Sequence, residues 1–224
     1  MKTLICIPAM DTVNTSFMRC LLSLRPVGEV RFAITQSSLI YDARNILAVQ
    51  AITGGYDRTL WLDSDMTFEP DLMEKLSATL DDGHDLVSAL YFTRKPPHRP
   101  VIYDGCRVFQ DEDGKQRSAA IWYDDYPQNS VFDIEACGFG GVMCTVKLLN
   151  DIREKFGTPF SPLHGFGEDL SFCIRAMALK ANMVCNSAIK MGHTASYIVN
   201  EETYKESKNA GSKSNSADNV ADKG

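Results

Sequence analysis

The residues in this 224-residue chain best suited to chemistry are two aspartates one position apart, Asp63 and Asp65, placed directly after the short apolar run Thr59–Leu62. A buried strand ending in carboxylates delivers them to the crevice outside the strand ends, where open α/β sheets bind ligands. Carboxylate oxygens, together with substrate phosphates, are the ligands that hard divalent cations such as Mg²⁺ and Mn²⁺ take. An Asp-x-Asp at that position can put one oxygen on a metal and another on a ribose hydroxyl. The same residues also suit a surface turn before a helix at Pro70, and it is the preceding strand that favours chemistry.

A second acid pair, Glu168-Asp169, follows the glycines of Gly165-Phe166-Gly167 and opens an amphipathic helix. The helix dipole accounts for one acid there, at about 0.3–1 kcal/mol. It does not account for the aromatic-bearing loop Pro159–Gly167, read as a semi-mobile presenter of a carboxylate able to deprotonate a hydroxyl. Met191-Gly192-His193 offers an imidazole that can complete a mixed oxygen and nitrogen metal shell if Asp65 binds a cation. Arg44-Asn45, at the edge of a helix's apolar face, can pair with phosphate or base, or serve as an ordinary surface salt bridge. Gly138-Phe139-Gly140-Gly141 lacks the spacing of a dinucleotide fingerprint, and neither a P-loop nor a Gly-x-Ser-x-Gly elbow is present.

The elements that must position these residues alternate in type, which predicts an α/β domain with a mostly parallel sheet and helices on both faces. Strands are expected at Thr3–Ile7, Val30–Thr35, Thr59–Leu62, Asp85–Phe92, Val131–Cys137, Val142–Val146 and Met183–Ser187. Between the first two, Val13, Phe17, Leu21 and Leu24 recur at helical spacing. A second helix, capped by Ser37 or Ser38, turns Ile40, Ala43, Ile46, Leu47 and Ala51 inward and stops at Gly54-Gly55. Further helices are expected from Pro70-Asp71 to Leu80, from Lys147 to Phe156, and over Glu168–Lys180 with Leu170, Cys173, Ile174, Met177 and Ala178 on one face. Prolines, Asp-Gly pairs and short aromatic runs over Lys95–Gln128 predict a small antiparallel insertion. Residues 1–204 read as one domain and 205–224, with almost nothing to bury, as a flexible polar tail.

A net charge of −6, with 23 Lys plus Arg against 29 Asp plus Glu, lacks the basic footprint of a nucleic-acid binder, and the cluster Arg94-Lys95 to His98-Arg99 is too small to supply one. Seven scattered cysteines with no Cys-x-x-Cys pair argue for reduced core thiols and against structural zinc. No run approaches the roughly 20 apolar residues of a membrane span, and the N-terminal apolar stretch is too short for a secretory signal, so a cytoplasmic location is expected.

Taken in order, Pro8-Ala9, Arg44-Asn45, Asp63-Ser64-Asp65, Gly138–Gly141, Gly167-Glu168-Asp169 and His193 resemble a glycosyltransferase of the A fold type (GT-A), more narrowly the short family-2-like enzymes of bacteria and their phages. The resemblance covers roughly residues 3–195. It implies the Rossmann-like fold of nucleotide-diphospho-sugar transferases and transfer of a sugar from a nucleoside diphosphate donor, UDP above others, to a hydroxyl acceptor. It also implies a donor site of Pro8, Ala9, Asp11, Arg44, Asn45, Asp63, Ser64, Gly140 and Gly141, and Mn²⁺ or Mg²⁺ on Asp65 and His193. Glu168 and Asp169 would be the catalytic acids, with Asp169 as the base of an inverting displacement. The acceptor would be a glycan, a protein or, against the acidic charge, modified DNA, and a homo-oligomer is compatible. Two rivals stand beside this reading: a non-catalytic nucleotide- or carbohydrate-binding module, and a nucleotidyltransferase of related fold, for which Pro8-Ala9-Met10-Asp11 lacks the Gly-rich basic signature.

Overall fold

The computed structural model describes residues 1–163, 165–195 and 198–208. Its first half runs β1 (Lys2–Ala9), α1 (Thr15–Ser23), β2 (Glu29–Gln36), α2 (Ile40–Thr53), β3 (Arg58–Leu62), β4 (Met66–Thr67), α3 (Leu72–Asp81) and β5 (Leu86–Leu90). It continues with β6 (Ile102–Gln110), β7 (Gln116–Trp122), β8 (Val131–Asp133), β9 (Ala136–Cys137), β10 (Gly141–Thr145), α4 (Val146–Phe156), α5 (Glu168–Ala178), β11 (Met183–Lys190), β12 (Gly192–Thr194) and β13 (Ile198–Val199). Residues 201–208 are helical.

A seven-stranded sheet in the order β2-β1-β3-β10-β5-β11-β8 forms the centre. Strands β2, β1, β3, β5 and β11 run one way, while β10 and β8 run against them. Strand periodicity divides the core. Leu4 and Cys6 of β1 face α2, α4 and α5, with Leu47, Leu149 and Phe172. Ile5 and Ile7 face α1 and α3, with Phe17 and Leu76. Because both faces are covered, the inner strands read as continuous apolar runs. On the first face Trp61, Phe139, Phe160 and Phe172 form an aromatic cluster, with Phe160 stacked on Phe172 at 4.8 Å and 5.0 Å from both Trp61 and Phe139.

Several expectations shift. In α2 the buried residues are Ala43, Arg44, Leu47, Ala48 and Ala51, whereas Ile40 and Ile46 are exposed; the helix turns its small residues and its arginine inward. Ser37 does not cap α2: Leu39 is the N-cap residue, and Ser37 Oγ accepts from its N–H at 3.1 Å. In α5 it is Phe172, Cys173 and Ala176 that face the core, and Ala178 is exposed. The run Val131–Cys137 splits into β8, which extends the main sheet, and β9, which joins β6 and β7 in the expected antiparallel insertion. A further small sheet, β13-β12-β4, has no counterpart in the sequence reading. Helix 201–208 lays Tyr204 on Phe92 with ring centroids 4.5 Å apart. Residues 205–208, expected as the start of the tail, continue that helix, and 209–224 lie outside the described residues.

Phe160 is fully buried at the centre of the aromatic cluster. Phe160→Ala should therefore lower unfolding stability by about 3–5 kcal/mol, read by denaturant titration; a loss below about 1 kcal/mol would mean that the cluster does not hold the loop.

Candidate functional site

Strand β3 is buried along its whole length and ends at Leu62, so the next three residues leave the sheet at its C-terminal edge beside the end of β1. There Pro8, Ala9, Ser37, Ser38, Arg44, Asp63, Ser64, Asp65, Tyr91, Arg94, Phe139, Glu168, Asp169 and His193 surround a cleft of about 500 Å³. The comparable hollow between α1 and residues 198–202 gathers Glu69, Lys190, Glu201 and Glu202 but neither aspartate of the turn, nor Glu168, Asp169 or His193.

The turn that carries the aspartates is fixed by backbone bonds. Asp63 N–H donates to Gly140 O (3.4 Å), Met66 N–H to Asp63 O (3.2 Å), and Asn14 N–H to Ser64 O (3.2 Å). Opposite Asp63 stands Arg44, 2% exposed. Its Nη2 donates to Asp63 Oδ1 at 2.8 Å and its Nε to Glu168 Oε1 at 3.2 Å. Burial works against the guanidinium's charge, but Asp63, Glu168 and Asp169 outweigh it and hold its pKa above the ordinary value. Arg44 thus ties the first aspartate to the acid pair of α5, as part of the buried face rather than as an edge residue.

Asp65 is engaged differently. Strand β12 pairs with β4 so that His193 lies opposite Met66, and Thr194 N–H donates to Asp65 O at 2.8 Å. His193 Nε2 comes to 3.4 Å from Asp65 Oδ2. Its Nδ1 lies 2.9 Å from Phe92 O, and a proton held there leaves, in the neutral ring, the Nε2 lone pair facing the carboxylate. A lone pair and a carboxylate oxygen in that position need a proton or a cation between them. One carboxylate oxygen and one imidazole nitrogen are a donor set suited to Mn²⁺, so the residues fit the metal that the resemblance implies. Arg94 Nη1 also reaches Asp65 Oδ2, at 3.0 Å. Burial alone would push this carboxyl up, but the hydrogen bond and charge of His193 and the charge of Arg94 hold it below its ordinary value. Among the described residues no three His, Cys, Asp or Glu side chains converge as ligands, so a cation here would draw its other ligands from substrate and water.

Asp169 feels the Arg44 charge only at a distance, without an ion pair of its own among the described residues. Its carboxyl is closely hemmed by protein although the residue still opens on the cleft; burial and then the adjacent Glu168 raise its pKa to about 6, against a hydrogen bond from Leu170 N–H at 2.7 Å. The first part of the loop before it, residues 159–163, is tied to the body of the protein by hydrogen bonds. Arg175 donates to Pro159 O and Ser161 O, Leu163 N–H donates to Ser171 Oγ, and Phe160 N–H donates to Asn45 Oδ1 at 2.9 Å.

The structure therefore brings together Pro8, Ala9, Arg44, Asp63, Ser64, Asp65, Glu168, Asp169 and His193. Asn45 instead brackets the loop, and Asp11 accepts from Gln36 Nε2 at 3.0 Å on an exposed stretch. Gly140 and Gly141 are not among the residues lining the cleft; Tyr91 and Met66 approach Gly140, and the end of the Met191 side chain approaches Gly141, so closely that a larger residue would require them to shift. The sequence reading missed Tyr91, which accepts from Gly140 N–H at 3.1 Å and meets the His193 ring edge-on, as well as Ser37, Ser38 and Arg94. Position just past a buried strand end, the signal that singled out Asp63, applies equally to Tyr91 and Arg94.

No protein-family model and no curated protein sequence matches the chain. Its structure is similar to that of A197 from STIV (TM-score 0.59, 20% identity, covering 87% of this chain and 86% of that one). It is also similar to GalNAc-T7, solved with UDP, GalNAc and Mn²⁺ (TM-score 0.55, 10% identity, 86% and 43%), and to S. aureus TarS 1–349 in complex with UDP-GlcNAc (0.52, 14%, 84% and 56%). The chain spans about half the length of the last two. At these identities the likeness establishes the fold: a GT-A-type α/β domain with a mostly parallel central sheet. No helix among the described residues is long and apolar enough to cross a membrane, and all seven cysteines are free.

The raised pKa of Asp169 has a stability consequence with a definite sign. The folded state binds this proton more tightly than the unfolded chain, whose carboxyl titrates near 4. The group's contribution is therefore fully present below about pH 4 and is lost as pH rises through about 6. Asp169→Asn, which keeps an oxygen for Leu170 N–H, should melt above wild type at pH 7.5, with the gap closing between about pH 6 and 4. A variant less stable than wild type at pH 7.5 would show that the charged carboxylate is not penalised.

Proposed function

We propose that this protein transfers a sugar from a UDP-sugar to a hydroxyl acceptor with inversion of the anomeric centre. One observation carries the reading: a carboxyl tuned to titrate near pH 6 shares a cleft with an Asp-x-Asp turn at the strand ends. The GT-A-type fold, and the UDP and UDP-GlcNAc present in two proteins of similar structure, support it.

In this reading the nucleotide lies over Pro8, Ala9, Ser37 and Ser38, with its ribose on Asp63, whose carboxylate Arg44 orients. Asp65 and His193 would hold Mn²⁺ or Mg²⁺. When bound, the cation supplies neutralisation of the diphosphate charge that develops as the donor bond breaks. Asp169 takes the acceptor's hydroxyl proton while that oxygen bonds to the anomeric carbon, and the diphosphate departs with the electron pair of the broken bond. A base of pKa about 6 is mostly ionised at neutral pH and is still able to accept a proton in the transition state. Glu168, spent on Arg44, positions the start of α5 and takes no proton.

UDP release from a UDP-sugar, with water as the default acceptor, tests this without knowledge of the natural acceptor. The wild-type rate should rise with pH through about 6 and then level. Asp169→Asn should lose roughly 10²–10⁴ of the rate and the pH step, while UDP binding stays near wild type; an unchanged rate removes Asp169 from the mechanism. Asp65→Ala should abolish the Mn²⁺-dependence of UDP binding in isothermal titration, and Asp63→Ala should weaken UDP with or without metal. Wild-type behaviour of Asp65→Ala would place the metal elsewhere.

A further inference from the structure

Among the described residues lining the cleft, Arg94 is a cation that the proposed reaction leaves without a task. Its Nη1 donates to Asp65 Oδ2, the same oxygen that faces His193 Nε2. The two arginines of the site differ in kind. The Arg44 side chain is 3% exposed and shared between two carboxylates, whereas the Arg94 side chain is 56% exposed and holds one. Beneath Arg94 the backbone is firmly tied: Thr93 N–H donates to Arg99 O at 2.9 Å, Arg99 N–H to Thr93 Oγ1 at 3.1 Å, and Thr93 Oγ1 to Lys95 O at 3.2 Å. A long side chain with most of its length in water thus rises from a fixed turn at the rim of the cleft.

An oxygen that accepts a guanidinium N–H on its cleft side cannot at the same geometry ligate a divalent cation there, and the two positive charges would repel at that separation. A half-exposed single ion pair is weak enough to exchange. A planar guanidinium displaced from a carboxylate finds an equally good two-pronged partner in a phosphate.

We propose that Arg94 is a displaceable counter-cation: it neutralises Asp65 before the donor arrives, yields that oxygen to the metal, and moves onto the donor's diphosphate. This rests on the donor-site reading given above. It makes Arg94 a competitor of the metal and an ally of the nucleotide, two effects of opposite sign from one side chain. A static surface salt bridge would produce neither, and a purely structural role would move both affinities together.

The test is a titration of the full chain with Mn²⁺ alone, followed by the resonance of free Mn²⁺, and with UDP at saturating Mn²⁺, followed by heat. Arg94→Gln should bind Mn²⁺ alone roughly 3- to 10-fold more tightly and UDP roughly 3- to 10-fold more weakly than wild type. Arg94→Lys should return both values toward wild type. Shifts of the same sign, no shift in either ligand, or no Mn²⁺ binding to Arg94→Gln without UDP would each overturn the proposal. Asp65→Ala, run alongside, separates the two levels of failure. If it binds Mn²⁺ and UDP as wild type does, the donor site itself is misplaced. If it loses them while Arg94→Gln changes nothing, only the role of Arg94 falls.

Discussion

A full positive charge is buried at the meeting point of α2, the end of β3 and the start of α5, and the site exists because that charge is satisfied. Isolated in the interior, a guanidinium would cost many kcal/mol. Arg44 is offset by Asp63 Oδ1 and Glu168 Oε1 and rests over the rings of Phe139 and Trp61, 5.5 and 6.0 Å from their centres. The planar fork holds its partners at fixed angles, so one side chain sets the spacing between the Asp-x-Asp turn and the acidic helix start. Its Nη1 has no hydrogen-bond partner among the described residues. That accords with a group whose pairing is dictated by where the carboxylates must stand.

This arrangement also divides the labour among four carboxylates. Asp63 and Glu168 share Arg44, and Asp65 has His193 and Arg94. Asp169, closely surrounded by protein and beside Glu168, has no salt-bridge partner among the described residues and is pushed up to about 6. Environments that push like groups apart in pKa are how one cleft holds both a permanently charged ligand and an acid that exchanges protons near neutrality. Phe139 of the aromatic cluster lines the cleft, and Phe160, stacked on Phe172 and bonded to Asn45, anchors the loop leading into α5.

Much of this was legible in the residue order because buried strands and the carboxylates at their ends are written locally. Strands β1 and β3 carry the apolar runs Leu4–Ala9 and Leu60–Leu62, the second leading straight into Asp63, and helix signals bracket α3, α4 and α5. The rest depended on contacts far apart in sequence. The inward face of α2 was read from its largest apolar residues, but Ala43, Ala48 and Ala51 let the helix sit close to the sheet, and Arg44 turns inward only because acids 19 and 124 positions away receive it. Strands of two or three residues, such as β4 and β12, carry no periodicity, so the pairing that sets His193 beside Asp65 was invisible. Arg94 looked like one member of a surface basic cluster. Asn45, Gly140 and Gly141, expected at the donor site, are not among the residues lining the cleft: Asn45 accepts from Phe160 N–H, and the two glycines pack against Tyr91 and Met191.

The claim on which the account turns is that this cleft is a metal–nucleotide donor site. A crystal structure of the protein grown with UDP and Mn²⁺, with the manganese located by its anomalous scattering, tests it most directly. The account predicts one manganese between Asp65 Oδ2 and His193 Nε2, bridged to the diphosphate, with the ribose hydroxyls on Asp63. A manganese bound away from Asp65, or UDP seated outside the space between Arg44 and His193, would contradict it.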